Sequence, residues 1–124
     1  MSGILWAVLA QPVPVQPLYP NGKPHHVTLQ YGVNRADWQH LIGLPITLGV
    51  SALAFDDRIQ AIKVILPTWV ECQNEHPHVT VSWVDGVCPA RANRMLAGEH
   101  EEISLGVDHL HARIEWLEQE RLEQ

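Results

Sequence analysis

The chain has 124 residues, 46% hydrophobic and 18% charged, with a formal net charge of −6. That length allows one domain, over 1–124, with one continuous core. No apolar run approaches the roughly 18–20 residues of a bilayer span, so a soluble chain with no membrane partner is expected. The charge is uneven: residues 1–98 carry six Lys/Arg and six Asp/Glu, and residues 99–124 carry two and eight. A broad basic face able to coat duplex nucleic acid is therefore absent. One phosphate could still be held by local donors such as Lys23, Arg91 or Arg94.

The apolar run Gly3 to Ala10 lacks a basic leader and a clear cleavage site, and reads as a first strand. Val13 to Pro24 holds Pro14, Pro17, Pro20, Pro24 and the pair Asn21-Gly22, which predicts an irregular connection with fixed turns. It leads into a β-type run, His26 to Tyr31. Asn34 is a fair N-cap for a short helix over Arg35 to Ile42, stopped by Gly43 and Pro45. Ile46 to Phe55 and Arg58 to Leu66, separated by Asp56-Asp57, have the pattern of a hairpin.

Pro77 introduces a second β-type run, His78 to Val84, ending at Asp85-Gly86. Pro89 and Gly98 bracket a short helix over Ala90 to Ala97. From His109 the sequence alternates strictly, which predicts a strand to about Leu117 followed by a frayed end. Cys72 and Cys88 lack a secretory context, so an intracellular, cytoplasmic, reducing compartment is the default expectation.

One phrase repeats. His26-Val27-Thr28-Leu29 returns as His78-Val79-Thr80-Val81, each at the start of a predicted strand, with Pro24 two places before the first and Pro77 directly before the second. With eight His in the chain, chance supplies a His two places before a Thr only about a quarter of a time, against two observed. Strand alternation projects His26 with Thr28, and His78 with Thr80, to one surface, backed by Val27, Leu29, Val79 and Val81. Two imidazoles and two hydroxyls around one small anion suit metal-free phosphodiester cleavage. One histidine acts as general base on the attacking oxygen, the other as general acid on the departing one, and the hydroxyls hold non-bridging oxygens.

These two motifs resemble the defining pair of the 2H phosphoesterase superfamily. The stretch Pro89 to Leu96 and the strand pair around Asp56-Asp57-Arg58 are similar to segments of the cyclic phosphodiesterase domains of fungal and plant tRNA ligases. The resemblance implies an α+β fold, two lobes of antiparallel sheet around a central cleft with short outer helices. It also implies 2′,3′-cyclic phosphate ends, or other 2′–5′ and 3′–5′ linked nucleotides, as substrates. Phage-encoded members that destroy cyclic oligonucleotide signals are similar in kind. The chain is shorter than most relatives, which implies trimmed lobe helices and bears on the specificity elements more than on the catalytic pair.

His26 and His78 are thus the candidate catalytic pair, and Thr28 and Thr80 the candidate phosphate donors. His76, Arg91, Asn93, Arg94 and Lys23 are further candidates for substrate contact; His25, by parity, points away. A zinc site from His25, His26, His76, His78 and Cys72 is the weaker reading, because Thr adds nothing as a ligand, and no cofactor is expected. Tyr31 and Trp83 fall in register with the apolar positions and are assigned to the core, His109 and His111 to solvent. The expected activity is hydrolysis of 2′,3′-cyclic phosphate ends of RNA or nucleotides. The rivals are degradation of cyclic di- or trinucleotide signals, and a non-catalytic module that binds an RNA end. Oligomeric state is open.

Overall fold

The computed structural model describes residues 2–22 and 24–119. Seven strands dominate it: β1 Ser2–Leu9, β2 His26–Asn34, β3 Pro45–Phe55, β4 Ile59–Ile65, β5 His78–Trp83, β6 Glu101–Ile103 and β7 His109–Glu118. Helix α1 (Arg35–Trp38) continues as a 3₁₀ turn over Gln39–Leu41, and α2 spans Arg91–Ala97. The helix expected over 35–42 is thus one α turn and one 3₁₀ turn, and Asn34, extended at φ −86° and ψ 135°, makes no side-chain cap.

All seven strands are antiparallel members of one sheet that closes on itself. β1 lies between β2 and β7. The eleven-residue β3 is shared: Pro45–Gly49 pairs with β7, Gly49–Phe55 with β4, and Leu53–Phe55 also takes β6 on its outer side. β4 pairs with β5, and β5 meets β2 at Val27↔Val79, completing the ring. The long β3 and the Val27–Val79 pairing join the strands into a single closed barrel with few short helices, compatible with the expected fold.

The interior holds Leu5, Leu29, Leu48, Ile62, Val27, Val79, Val81 and Ile114, none with any exposed surface. Removing each such side chain from water contributes roughly 1.5–3 kcal/mol. A second apolar cluster seats Ala92, Met95 and Leu96 of α2 on Ala54, Ile59 and Ala61 of β3 and β4. In the β3–β4 hairpin, Asp56 Oδ1 accepts from the backbone N–H of Arg58 at 2.8 Å and of Ile59 at 3.0 Å, closing the turn where Asp56-Asp57 predicts one. Among the described residues no helix is long and apolar enough to cross a membrane.

Bulges shape the strands that carry the histidines: β2 has one at Leu29 and another at Gly32, and β5 has one at Val81. In β2 the pairing with β1 passes from Trp6↔Thr28 to Leu5↔Gln30, leaving Leu29 as the extra residue. In β5 the pairing with β4 passes from Ala61↔Thr80 to Gln60↔Ser82, leaving Val81 as the extra residue. An extra residue reverses the inside-outside alternation beyond it. Leu29 and Gln30 are consequently both buried, as are Val81 and Ser82. The expectation that Tyr31 lies in the core fails for this reason: the residue is 57% exposed. Trp83 is likewise turned, half-buried against the α2 cluster instead of inside the barrel.

Candidate active site

Val27 and Val79 face inward as the one register pair between β2 and β5. Antiparallel pairing there sets Thr28 beside His78 and His26 beside Thr80 on the opposite face. The four side chains line one cavity of about 430 Å³. Tyr31, Asn74, Trp83, Pro89, Ala90 and Asn93 complete its lining, and the antiparallel register through Val27↔Val79 puts Tyr31 and Trp83 toward opposite ends.

The His78 imidazole is buried, and its Nδ1 donates to the His76 carbonyl at 2.8 Å. The proton is therefore on Nδ1 in the neutral ring, leaving the Nε2 lone pair for other partners. Burial lowers the His78 pKa, while the carbonyl, which stabilises the cation, raises it in partial opposition. His26 lies against the indole of Trp6, ring centroids 4.4 Å apart, and its Nδ1 is 3.4 Å from Nδ1 of His25. Desolvation, with repulsion from His25 and His78, brings the His26 pKa down to about 4. Both rings are consequently neutral near pH 7 in the free protein.

The approach to His26 is fixed by the proline-rich segment. Asn21 and Trp83 exchange backbone hydrogen bonds at 2.9 and 3.1 Å, and Asn21 Nδ2 donates to Asp85 Oδ1 at 2.8 Å. The approach to His78 is fixed by the 66–77 connection. Gln73 N–H donates to the Leu29 carbonyl at 2.8 Å, and Gln73 Oε1 accepts from the Tyr31 N–H at 2.9 Å.

Of the candidates from sequence, His26, Thr28, His78, Thr80 and Asn93 share this cavity. His76 contributes its carbonyl, while its side chain turns toward Glu75, 3.9 Å away. Arg91 and Arg94, one helical turn apart, line a separate depression with Arg58 and Cys88, and Arg91 pairs with Asp56 at 3.7 Å. Lys23 lies outside the described residues. His25 is absent from the lining yet touches His26, a contact its parity does not predict. Among the described residues no three or more His, Cys, Asp or Glu side chains converge to hold a metal ion.

Tyr31, Asn74, Trp83, Pro89 and Ala90 are the lining residues that sequence reasoning missed. The aromatic pair had a signal in the repeat itself, since each follows its histidine by five positions. Asn74 had none. A larger open depression of about 940 Å³ lies elsewhere, but Asp56, Asp57, Glu99, Glu101 and Glu102 line it, a wall that repels phosphate.

Comparison with curated proteins and with solved structures gives no match. Residues 24–118 match the family described as the fungal tRNA ligase phosphodiesterase domain, and the matched region contains both histidine motifs. The chain therefore belongs to this family of cyclic phosphodiesterases, a branch of the 2H phosphoesterases.

Proposed function

We propose that the chain hydrolyses 2′,3′-cyclic phosphate ends of RNA or nucleotides, with His26 and His78 as the acid-base pair and Thr28 and Thr80 as donors to the phosphate. The observation that carries the reading is the convergence of both imidazoles and both hydroxyls on one cavity. His78, with Nδ1–H committed to a carbonyl, has its Nε2 lone pair free to take a proton from water. The same carbonyl stabilises the imidazolium that forms. The water oxygen attacks phosphorus, the bond from phosphorus to one ribose oxygen breaks, and His26 supplies the proton that oxygen needs. The product is a ribose phosphomonoester with a free neighbouring hydroxyl.

An anionic phosphate favours the protonated form of a nearby ring, so substrate binding loads the proton that free His26 lacks. A ring of low intrinsic pKa then gives it up readily. We place this chemistry in the cytoplasm, and no metal takes part in it.

The test is turnover of adenosine 2′,3′-cyclic phosphate and of a short RNA with a cyclic end, beside cyclic di- and trinucleotides, in excess EDTA. Turnover of the first two that disappears in His26→Ala and in His78→Ala supports the reading. Turnover confined to the cyclic oligonucleotides replaces the substrate. Loss to EDTA replaces the mechanism, and binding without turnover leaves only an RNA-end module.

A further inference from the structure

The internal repeat is longer than its four obvious residues. His26-Val-Thr-Leu-Gln-Tyr31 and His78-Val-Thr-Val-Ser-Trp83 match at all six positions in kind: histidine, valine, threonine, aliphatic, polar and aromatic. The structures match as well. The fourth residue of each, Leu29 and Val81, is the bulged one, and the fifth, Gln30 and Ser82, is buried. Gln30 Nε2 donates to the Glu71 carbonyl at 3.2 Å, and Ser82 Oγ donates to Gln60 Oε1 at 2.6 Å. The sixth, an aromatic, is thereby delivered to the cavity that the histidine lines. Bulges beside functional sites re-aim side chains in this way.

Because β2 and β5 run antiparallel through Val27↔Val79, the two aromatics stand at opposite ends of the cavity with the histidines between them. Each has a carboxamide near it. Asn74 is held beside Tyr31 by Gln73, whose side chain bonds both the N–H and the carbonyl of Tyr31. Asn93 also lines the cavity, from α2, the helix whose apolar cluster Trp83 packs against. An aromatic face stacks on any base, and a carboxamide offers a donor and an acceptor to a base edge.

We infer that the cavity carries two nucleobase seats, Tyr31 with Asn74 and Trp83 with Asn93, so that it takes a phosphodiester bearing a nucleoside on both sides. The inference rests on the phosphodiesterase reading above and names its specificity-determining residues. A terminal cyclic phosphate fills one seat. A dinucleoside phosphate fills both.

The test compares two monoanionic diesters by titration calorimetry: the deoxyadenosine dinucleotide dApdA, and deoxyadenosine 3′-(methyl phosphate), in which a methyl group replaces the second nucleoside. One further stacked base strengthens binding roughly 5- to 150-fold, so dApdA binds the wild type at least about fivefold more tightly than its methyl ester. Tyr31→Leu and Trp83→Leu each remove that much of the dinucleotide's affinity, and Tyr31→Phe restores it. If Trp83→Leu disturbs the α2 cluster, seen as a lowered melting temperature, Asn93→Ala reads the same seat from an exposed position. Equal affinity for the two ligands, or dependence on only one aromatic, overturns the inference. Turnover of adenosine 2′,3′-cyclic phosphate is measured alongside. Turnover with equal affinities defeats the seats alone, and a retained dinucleotide preference without turnover defeats the catalytic reading alone.

Discussion

His78 donates from Nδ1 to the backbone carbonyl of His76, two residues earlier in the same chain, across 2.8 Å. The acceptor is main chain, so the tautomer is set by the path of the chain through Pro77 and survives substitution of the His76 side chain. In nitrogen-15 spectra near pH 7, His78 shows a protonated Nδ1 and a bare Nε2, unchanged in His76→Ala. A bare Nδ1 would sink the proposed base.

The rate has a matching pH signature. With His26 at about 4 and His78 lowered by burial, the free protein holds few of the protons that the acid needs at pH 7. Since kcat/KM reports the free enzyme and kcat the complex, kcat/KM declines as pH rises through neutrality. The alkaline limb of kcat lies at higher pH, because bound phosphate raises the pKa of the acid. Coincident limbs in the two profiles would mean that no proton is taken up on binding.

Single removals separate proton transfer from phosphate gripping. His26→Ala and His78→Ala each lower kcat by roughly 10²- to 10⁴-fold. Thr28→Val and Thr80→Val, which delete one donor at constant shape, cost about 10²- to 10³-fold if the hydroxyls meet charge in the transition state. All four variants keep the melting temperature within a few degrees, which circular dichroism checks. A threonine variant with wild-type kcat contradicts the donor role.

Stability depends on pH in two opposite senses. His26 and His78 have folded pKa values below the ordinary 6.5, so the unfolded chain binds more protons as pH falls. Their stabilisation is complete above about pH 6.5 and is lost as pH drops toward 4. His100 has a raised pKa, chiefly through its 2.7 Å hydrogen bond to Glu102, so its contribution is present below 6.5 and lost as pH rises past its folded value. That site is at the surface and contributes weakly. Melting temperatures from pH 7.5 to 4.5 therefore fall, and the fall is shallower in His26→Gln.

Gly22 is a backbone position that no other residue fills. Its φ is +123°, and a Cβ there would lie 2.4 Å from the Val81 carbonyl oxygen and 2.8 Å from Ser82 Cα. Gly22→Ala costs roughly 1–3 kcal/mol from the backbone conformation alone, and the clash displaces the segment that enters His26. Chemical denaturation should show that loss, with reduced kcat/KM under conditions where the variant is folded. A variant as stable and as active as the wild type would show that the Asn21-Gly22 turn is not what fixes this wall.

The strands were legible where apolar, β-branched runs end at turn residues, as in Gly3 to Ala10 and the Asp56-Asp57 hairpin, and where side chains alternate strictly, along His109 to Leu117. So was the histidine pair, because a repeated tripeptide at two strand starts is local information. The β6 strand, exposed and three residues long, left no periodic trace. Reading Arg91 and Arg94 toward the phosphate failed for a geometric reason: on α2, the neighbouring Asn93 faces the cavity while the two arginines, three apart, share another side.

What the sequence determined by itself is the chemistry: which groups can move a proton or hold an oxygen, and that each histidine shares a strand face with its threonine. What the tertiary structure decided is which other groups join them. The extra residues Leu29 in β2 and Val81 in β5, visible only through pairing with β1 and β4, reverse the alternation and turn Tyr31 and Trp83 from the interior to the cavity. Alternation is a property of one strand, but a bulge belongs to the pair, and its position is fixed by the partner's hydrogen bonds.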